Sequence, residues 1–256
     1  MINLSHGSGS LTGEATVDFS VSDFVNRHIN EALARRRAER LAGEDRNYLG
    51  MSEIGDKCMR RVYYNTIGVP RPPFTGERLR QFEMGLYFEK MVYEWLTDAG
   101  FEIRTKNSRG DQFEFADAGG RIKGHIDGVI INGPQIPSLM YPALWENKSL
   151  KAKFWNAIVK HGLDKAEPQY HAQCQQYMAH GQLINTLFTT INKDTAEIYH
   201  CIIPLSIPNA QKLSDRGVSI LKAIDMGTPP PRVSANNDFF LCRMCDHKEH
   251  CWSSAT

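Results

Sequence analysis

A chain of 256 residues with 41% hydrophobic and 23% charged side chains has enough apolar material for one sizeable core, which excludes a wholly disordered polypeptide. A formal net charge of +1 excludes a uniformly basic nucleic-acid coat, so any contact with a polyanion must come from a local patch. No apolar run approaches the length needed to cross a bilayer. Six cysteines, two of them spaced CxxC, favour metal binding or redox chemistry over a disulfide framework in a reducing compartment.

The opening residues, MINLSHGSGSLTGEAT, show neither a basic nor an apolar leader region, so a soluble, intracellular protein with a flexible Gly/Ser start is the expectation. Helical periodicity runs over 19–44, with Val21, Val25, Ile29 and Leu33 spaced four apart and Arg35, Arg36, Arg37 and Arg40 following. This basic end reads either as a solvated face or as a polyanion contact. Residues 1–47 are thus expected to form an N-terminal segment with one amphipathic helix, and 48–256 the main domain. MSEIGDKCMRRVYYNTIG opens that domain, with Ser52 as a helix cap and Cys58 inside a helix one turn before Val62. PRPPF is a loop. RLRQFEMGLYFEKMVYEWLTDAG predicts a long amphipathic helix with Phe82, Leu86, Met91, Tyr93 and Leu96 among its apolar positions, stopped by Gly100 and packed on a sheet.

Strands are expected at 101–106, 112–116, 121–131 and 142–149, then helices at 152–162 and 167–180, the second with Pro168 in its first turn and Gly181 after its end. NTLFTTINKDTAEIYHCIIPL reads as two strands around a turn at 192–195, and 208–226 as another helix. GTPPPR is a short stiff link to a cysteine-rich tail. This order predicts a mixed α/β domain.

Side chains alternate across a strand, so in LWENKSL Glu146 and Lys148 share one face while Trp145 and Asn147 share the other. In GHIDGVI, Asp127 lies on the side of His125 and Val129. If the two strands pair around the loop 132–140, Asp127 approaches Glu146. Close carboxylates repel unless one is protonated or a cation lies between them, and Mg²⁺ or Mn²⁺, which take oxygen ligands and retain waters, suit that place. Lys148 beside them could orient a water or neutralise charge growing on a phosphate. The competing reading is a solvated ion pair on an edge strand. Gln169, Gln173 and Tyr177 recur every four residues as a polar stripe, which suits either holding phosphates or facing solvent.

Asp127 in GHIDG, ENK at 146–148, QCQQY at 173–177 and the upstream helix with GLYFE together resemble the PD-(D/E)XK nuclease superfamily, in particular its RecB-like branch. The early cysteine in KCMRRVYY and the late CxxC followed by a third cysteine look like the iron-sulfur members, the AddB-like and CRISPR-associated exonucleases. The resemblance covers about residues 50–252 and implies a restriction-endonuclease-like mixed sheet flanked by helices, with the C-terminal tail closing an iron-sulfur site. It further implies that Asp127 and Glu146 bind the catalytic Mg²⁺ or Mn²⁺ with the Asn147 backbone carbonyl, and that Lys148 is the catalytic lysine. Gln173 and Tyr177 match the QxxxY motif near the DNA. Where many relatives have GxxxH, Gly85 is here followed by Glu89, which resembles the phage lambda exonuclease branch and is a candidate metal ligand.

The resemblance supplies a fourth ligand for the tail: Cys58 joins Cys242, Cys245 and Cys251 around a four-iron four-sulfur cluster. Taken alone, Cys58 reads as a small buried apolar residue, and Cys174 and Cys201 are left as core residues. Zinc is the rival, with His247 and His250 in place of Cys58; CRMCDHKEHC also begins a zinc knuckle, but Ala255 stands where its last cysteine belongs. The function implied is a metal-dependent DNA exonuclease acting at ends or on single strands, for recombination, repair or phage DNA processing, in the cytoplasm (of the host, if phage-encoded). Arg60, Arg61, Arg78, Arg80, Lys151 and Lys153 are candidate backbone contacts. The alternative is a non-catalytic DNA-binding iron-sulfur module beside a helicase or recombinase. No membrane partner is expected, and an oligomer is compatible with the sequence.

Overall fold

The computed structural model describes residues 19–41 and 47–253. The expected N-terminal Gly/Ser segment and Ala255 lie outside them. Contacts divide the described residues into two units, the first formed by helix α1 (Phe19–Leu41) with Phe74–Gln81, the second by the rest. Within the first unit Arg80 Nη1 donates to Asn30 Oδ1 at 2.5 Å and the Arg37 guanidinium lies 5.1 Å from the centre of the Phe74 ring.

The second unit begins with β1 (Leu49–Gly50), a 3-10 turn at Met51–Glu53 and α2 (Met59–Thr66). Ser52 falls inside that turn, whose N-cap is Gly50, and Cys58 is the extended N-cap of α2 and not a residue within it. Helix α3 (Gly76–Asp98) ends before Gly100, whose φ of 92° is a conformation that glycine adopts without a Cβ clash. Then come β2 (Glu102–Arg104), β3 (Glu114–Asp117), β4 (Ile122–His125), β5 (Gly128–Asn132) and β6 (Ala143–Leu150). Helices α4 (Ala152–His161), α5 (Leu163–Ala166) and α6 (Pro168–Gly181) lead to β7 (Asn185–Asn192), β8 (Ile198–Pro204) and α7 (Ile207–Asp225). The tail holds two short helices, α8 (Phe240–Arg243) and α9 (Lys248–Ser253). Among the described residues no helix is long and apolar enough to cross a membrane.

A five-stranded mixed sheet runs in the order β2-β5-β6-β7-β8, with β6 and β7 parallel and the other pairs antiparallel. The parallel pair requires a crossover, which α4 to α6 provide. The stretch 121–131, expected as one strand, is two. Its first half, β4, joins β1 and β3 in a separate three-stranded sheet, while its second half, β5, joins the large one. The physical reason lies in the flanking glycines. A Cβ on Gly124 would stand 2.5 Å from the Tyr177 ring, and one on Gly128 would stand 3.0 Å from the Arg104 carbonyl, so the backbone passes between the sheets where only glycine fits.

Each face of the large sheet has its own core. Ala143, Trp145 and Leu187 on one face pack with Val92 and Leu96 of α3, Phe101 and Ile130. Leu144 and Phe188 on the other pack with Cys174 and Met178 of α6 and with Leu213 and Ile220 of α7. The expected packing of the long helix on a sheet is therefore present, with a shifted face: Leu86 and Met91 are 48% and 39% exposed, and Val92 is buried in their stead.

Candidate active site and cysteine cavity

The alternation of β6 places Glu146 on the α6 side of the sheet, fully buried at 0% exposure. The antiparallel register pairs Gly128 with Trp145, so Asp127, at the break between sheets, falls beside Glu146 as the strand-pairing argument expects. The Asp127 carboxylate takes the backbone N–H of Asn147 at 2.7 Å through Oδ2. Lys148 Nζ donates to Glu146 Oε1 and lies 5.4 Å from the centre of the Tyr170 ring. Gln173 Nε2 donates to the same carboxylate oxygen at 2.7 Å and stands 3.3 Å from the Tyr177 hydroxyl. From α3, Glu89 comes within electrostatic reach of Asp127 and Lys148.

Three carboxylates therefore face one ammonium. Burial, and then the charge of Asp127, push the Glu146 carboxyl up to about 8 and that of Glu89 up to about 7, against the pull of Lys148. Burial likewise raises Asp127, opposed by Lys148 and the Asn147 N–H. Burial disfavours the charge on Lys148, but Glu146 and Asp127 outweigh it and keep the ammonium protonated well above its usual range. Glu146 Oε2 is buried with no hydrogen-bond partner. An excess of buried negative charge with an orphaned carboxylate oxygen is the environment that a divalent cation would relieve. As the side chains lie, no three His, Cys, Asp or Glu groups among the described residues form a set that could hold a metal ion.

The polar stripe of α6 does not face solvent. Gln173 and Tyr177 are buried, and Gln169 donates to the Ser52 carbonyl at 3.0 Å. The stripe braces Glu146 from within, since a buried carboxylate needs donors and α6 supplies one. Tyr170, which the QxxxY pattern does not include, lies three residues before Gln173 on the same helical face. That spacing was the available signal. Cys174 is buried next to this cluster, and burial keeps its thiol well above the ordinary range; Cys201 is pushed up to about 11 by its own burial. Both behave as core residues.

Cys58, Cys242, Cys245 and Cys251 line one cavity, together with Arg60, Arg61, Tyr64 and residues of the tail. All four are free thiols. The Cys58 N–H donates to Asp56 Oδ1 at 2.7 Å, and Asp56 also receives the Arg61 guanidinium, with Nε at 2.8 Å. Burial raises the Cys245 thiol, opposed by the backbone N–H of His247 and by Arg61. Burial, then the proximity of Cys58 and Cys251, raises that of Cys242. Neither His247 nor His250 lines the cavity; His247 Nε2 bonds to Asn65 Oδ1 at 2.8 Å, and His250 packs edge-on to Tyr64. Arg60 and Arg61, expected as surface contacts to a nucleic-acid backbone, point into this cavity instead, while Arg78, Lys151 and Lys153 are exposed and Arg80 turns to Asn30.

No protein-family model matches the chain, and no curated protein matches it. Solved structures do. An alkaline exonuclease (LHK-Exo) from Laribacter hongkongensis aligns with a TM-score of 0.51 at 13% identity, over 74% of this chain and 93% of that one. Its complex with dAMP aligns with a TM-score of 0.50 at 13% identity, over 71% and 90%. A phage-related exonuclease from Haemophilus somnus 129PT reaches 0.46 at 14% identity, over 66% and 79%. At this identity the likeness shows the fold: the chain folds as the alkaline exonuclease does, a mixed α/β architecture with helices on both faces of the sheet.

Proposed function

We propose that this protein is a metal-dependent deoxyribonuclease, an exonuclease hydrolysing phosphodiester bonds, with Asp127, Glu146, Lys148, Gln173 and Tyr177 as its active site. The observation that carries the reading is the orphaned oxygen of Glu146, buried beside Asp127 and Lys148. Its donor set of hard carboxylate oxygens fits Mg²⁺ or Mn²⁺. Asp127 and Glu146 would hold the ion, with the Asn147 carbonyl and Glu89 completing the protein's share. Such an ion supplies a water of lowered pKa and a Lewis acid for the phosphoryl oxygen.

The remaining chemistry belongs to the chain. Lys148 holds a full positive charge beside Glu146, where it can neutralise the charge that grows on the phosphate. Gln173 locks the Glu146 carboxylate against rotation, and Tyr177 backs Gln173. Lys151 and Lys153, exposed just beyond β6, are suited to the DNA backbone. The fold likeness to an alkaline exonuclease supports this reading, and its dAMP complex makes a nucleotide product a reasonable ligand here as well.

We read the cysteine cavity as the place of a four-iron four-sulfur cluster held by Cys58, Cys242, Cys245 and Cys251; what supports this is that four cysteines from two distant stretches line it and no histidine does, and binding would have to draw their sulfurs together. Such a cluster would fasten the tail to the start of the domain. The test is anaerobic purification with iron and acid-labile sulfide analysis, then digestion of 5′- and 3′-labelled strands with Mg²⁺ or Mn²⁺. Asp127→Ala and Lys148→Ala are each expected to abolish cleavage while DNA binding persists. Cleavage retained by a clean Asp127→Ala preparation would overturn the assignment.

A further inference from the structure

Arg60 is 7% exposed, a degree of burial that a guanidinium reaches only with compensation. Its Nε donates to the Pro230 carbonyl at 2.5 Å and its Nη1 lies 4.0 Å from Cys251 Sγ. Among the described residues it has no carboxylate partner, in contrast to Arg61, which is neutralised by Asp56. Arg232 donates to the Cys251 carbonyl at 2.7 Å and covers Trp252, with its guanidinium 4.6 Å from the ring centre. Lys248 closes the same wall, and the lining contains four cations (Arg60, Arg61, Arg232 and Lys248) but no Asp or Glu. Arg61 is paired with Asp56 and Lys248 stands 3.6 Å from Asp238, which leaves the guanidinium of Arg60 as the buried cation set against a cysteine sulfur.

A cluster ligated by four thiolates carries roughly two negative charges when oxidised and one more when reduced. Surrounding cations therefore stabilise the reduced form more than the oxidised one, and a sulfur that accepts an N–H bond accepts it more strongly as its charge grows. We propose that this cationic lining, Arg60 foremost, biases the bound cluster toward its reduced state, so that Arg60 is a positioning and tuning residue for the ligand Cys251 and the cluster has a redox poise beyond its fastening of the tail. This rests on the cluster reading above. The change is the gain of one electron by the core from a low-potential one-electron donor, dithionite in the test, with no bond made or broken.

The experiment is a dye-mediated potentiometric titration of the anaerobically purified holoprotein, followed by electron paramagnetic resonance, for wild type, Arg60→Met, Arg60→Lys and Lys248→Met. Arg60→Met is expected to weaken the reduced form relative to the oxidised by about tenfold, a midpoint lower by about 59 mV for one electron. Arg60→Lys, which keeps the charge, should recover most of that. Lys248→Met should shift the midpoint in the same direction by about two- to threefold, because Lys248 is partly exposed and stands 3.6 Å from Asp238. If Arg60→Met does not fold, the Lys248→Met shift decides. Lower iron content with an unchanged midpoint would make Arg60 merely structural and overturn the inference. Stoichiometric zinc without iron would overturn the cluster reading itself, a result distinct from the first.

Discussion

Replacing Gln173 by Leu separates two roles that a glutamine near a nuclease site can have. In the fold Gln173 is 7% exposed and donates at 2.7 Å to a carboxylate oxygen of the fully buried Glu146. A hydrogen bond to a charged group contributes about 1.5–3 kcal/mol, and each ~1.4 kcal/mol is a factor of about ten. If that bond holds Glu146 in its working orientation, kcat should fall by roughly 10- to 150-fold. The Kd for DNA should change by less than about threefold, because the amide is buried against Glu146 and not presented to solvent. The assay is single-turnover cleavage of a labelled strand with a parallel binding isotherm in Ca²⁺, across a salt series. An unchanged kcat with Kd weakened tenfold and a shallower salt slope would refute the bracing role and return Gln173 to phosphate contact.

Lys148→Met should abolish cleavage and also lower the thermal midpoint at neutral pH, since three carboxylates then face one another without an ammonium. In the metal-free protein, Glu146 and Glu89 have carboxyls raised above their unfolded values, so the stability they contribute is fully present below about pH 4.5, declines as pH rises above that and is lost once pH passes about 7 to 8. Thermal unfolding in chelator should show that fall, Glu146→Gln should flatten it, and Mg²⁺ should offset it. Gly124→Ala should destabilise by about 1–3 kcal/mol in urea titration, because its Cβ would stand 2.5 Å from the Tyr177 ring and 2.8 Å from Met51 Sδ. Cys58→Ser should reduce iron binding and expose the tail to limited proteolysis; by analogy with a crosslink closing a very long loop, the loss is on the order of 4 kcal/mol.

Much of the site was legible from local spacing. Strand alternation alone put Glu146 and Lys148 on one face and Trp145 on the other, and β6 keeps that arrangement. The period of α6 put Gln169, Gln173 and Tyr177 in one row. Spacing failed where burial mattered. The row is buried, Arg60 lies inside, and Leu86 and Met91 face out although their periodicity would serve a core. The single strand read over 121–131 failed for a related reason: its hydrophobic pattern is continuous, and only packing against Tyr177 and Arg104 shows why glycines divide it.

The amino-acid order by itself therefore determined which residues share a face of one helix or strand, because that follows from the 3.6- and 2-residue periods of the backbone. Tertiary structure alone decided which faces meet. Asp127 reaches Glu146 through an antiparallel pairing across a ten-residue-scale loop, and Cys58 meets Cys242, Cys245 and Cys251 although most of the chain separates them. Contacts of that range depend on the summed packing of whole elements against one another, and no local window of residues contains that sum.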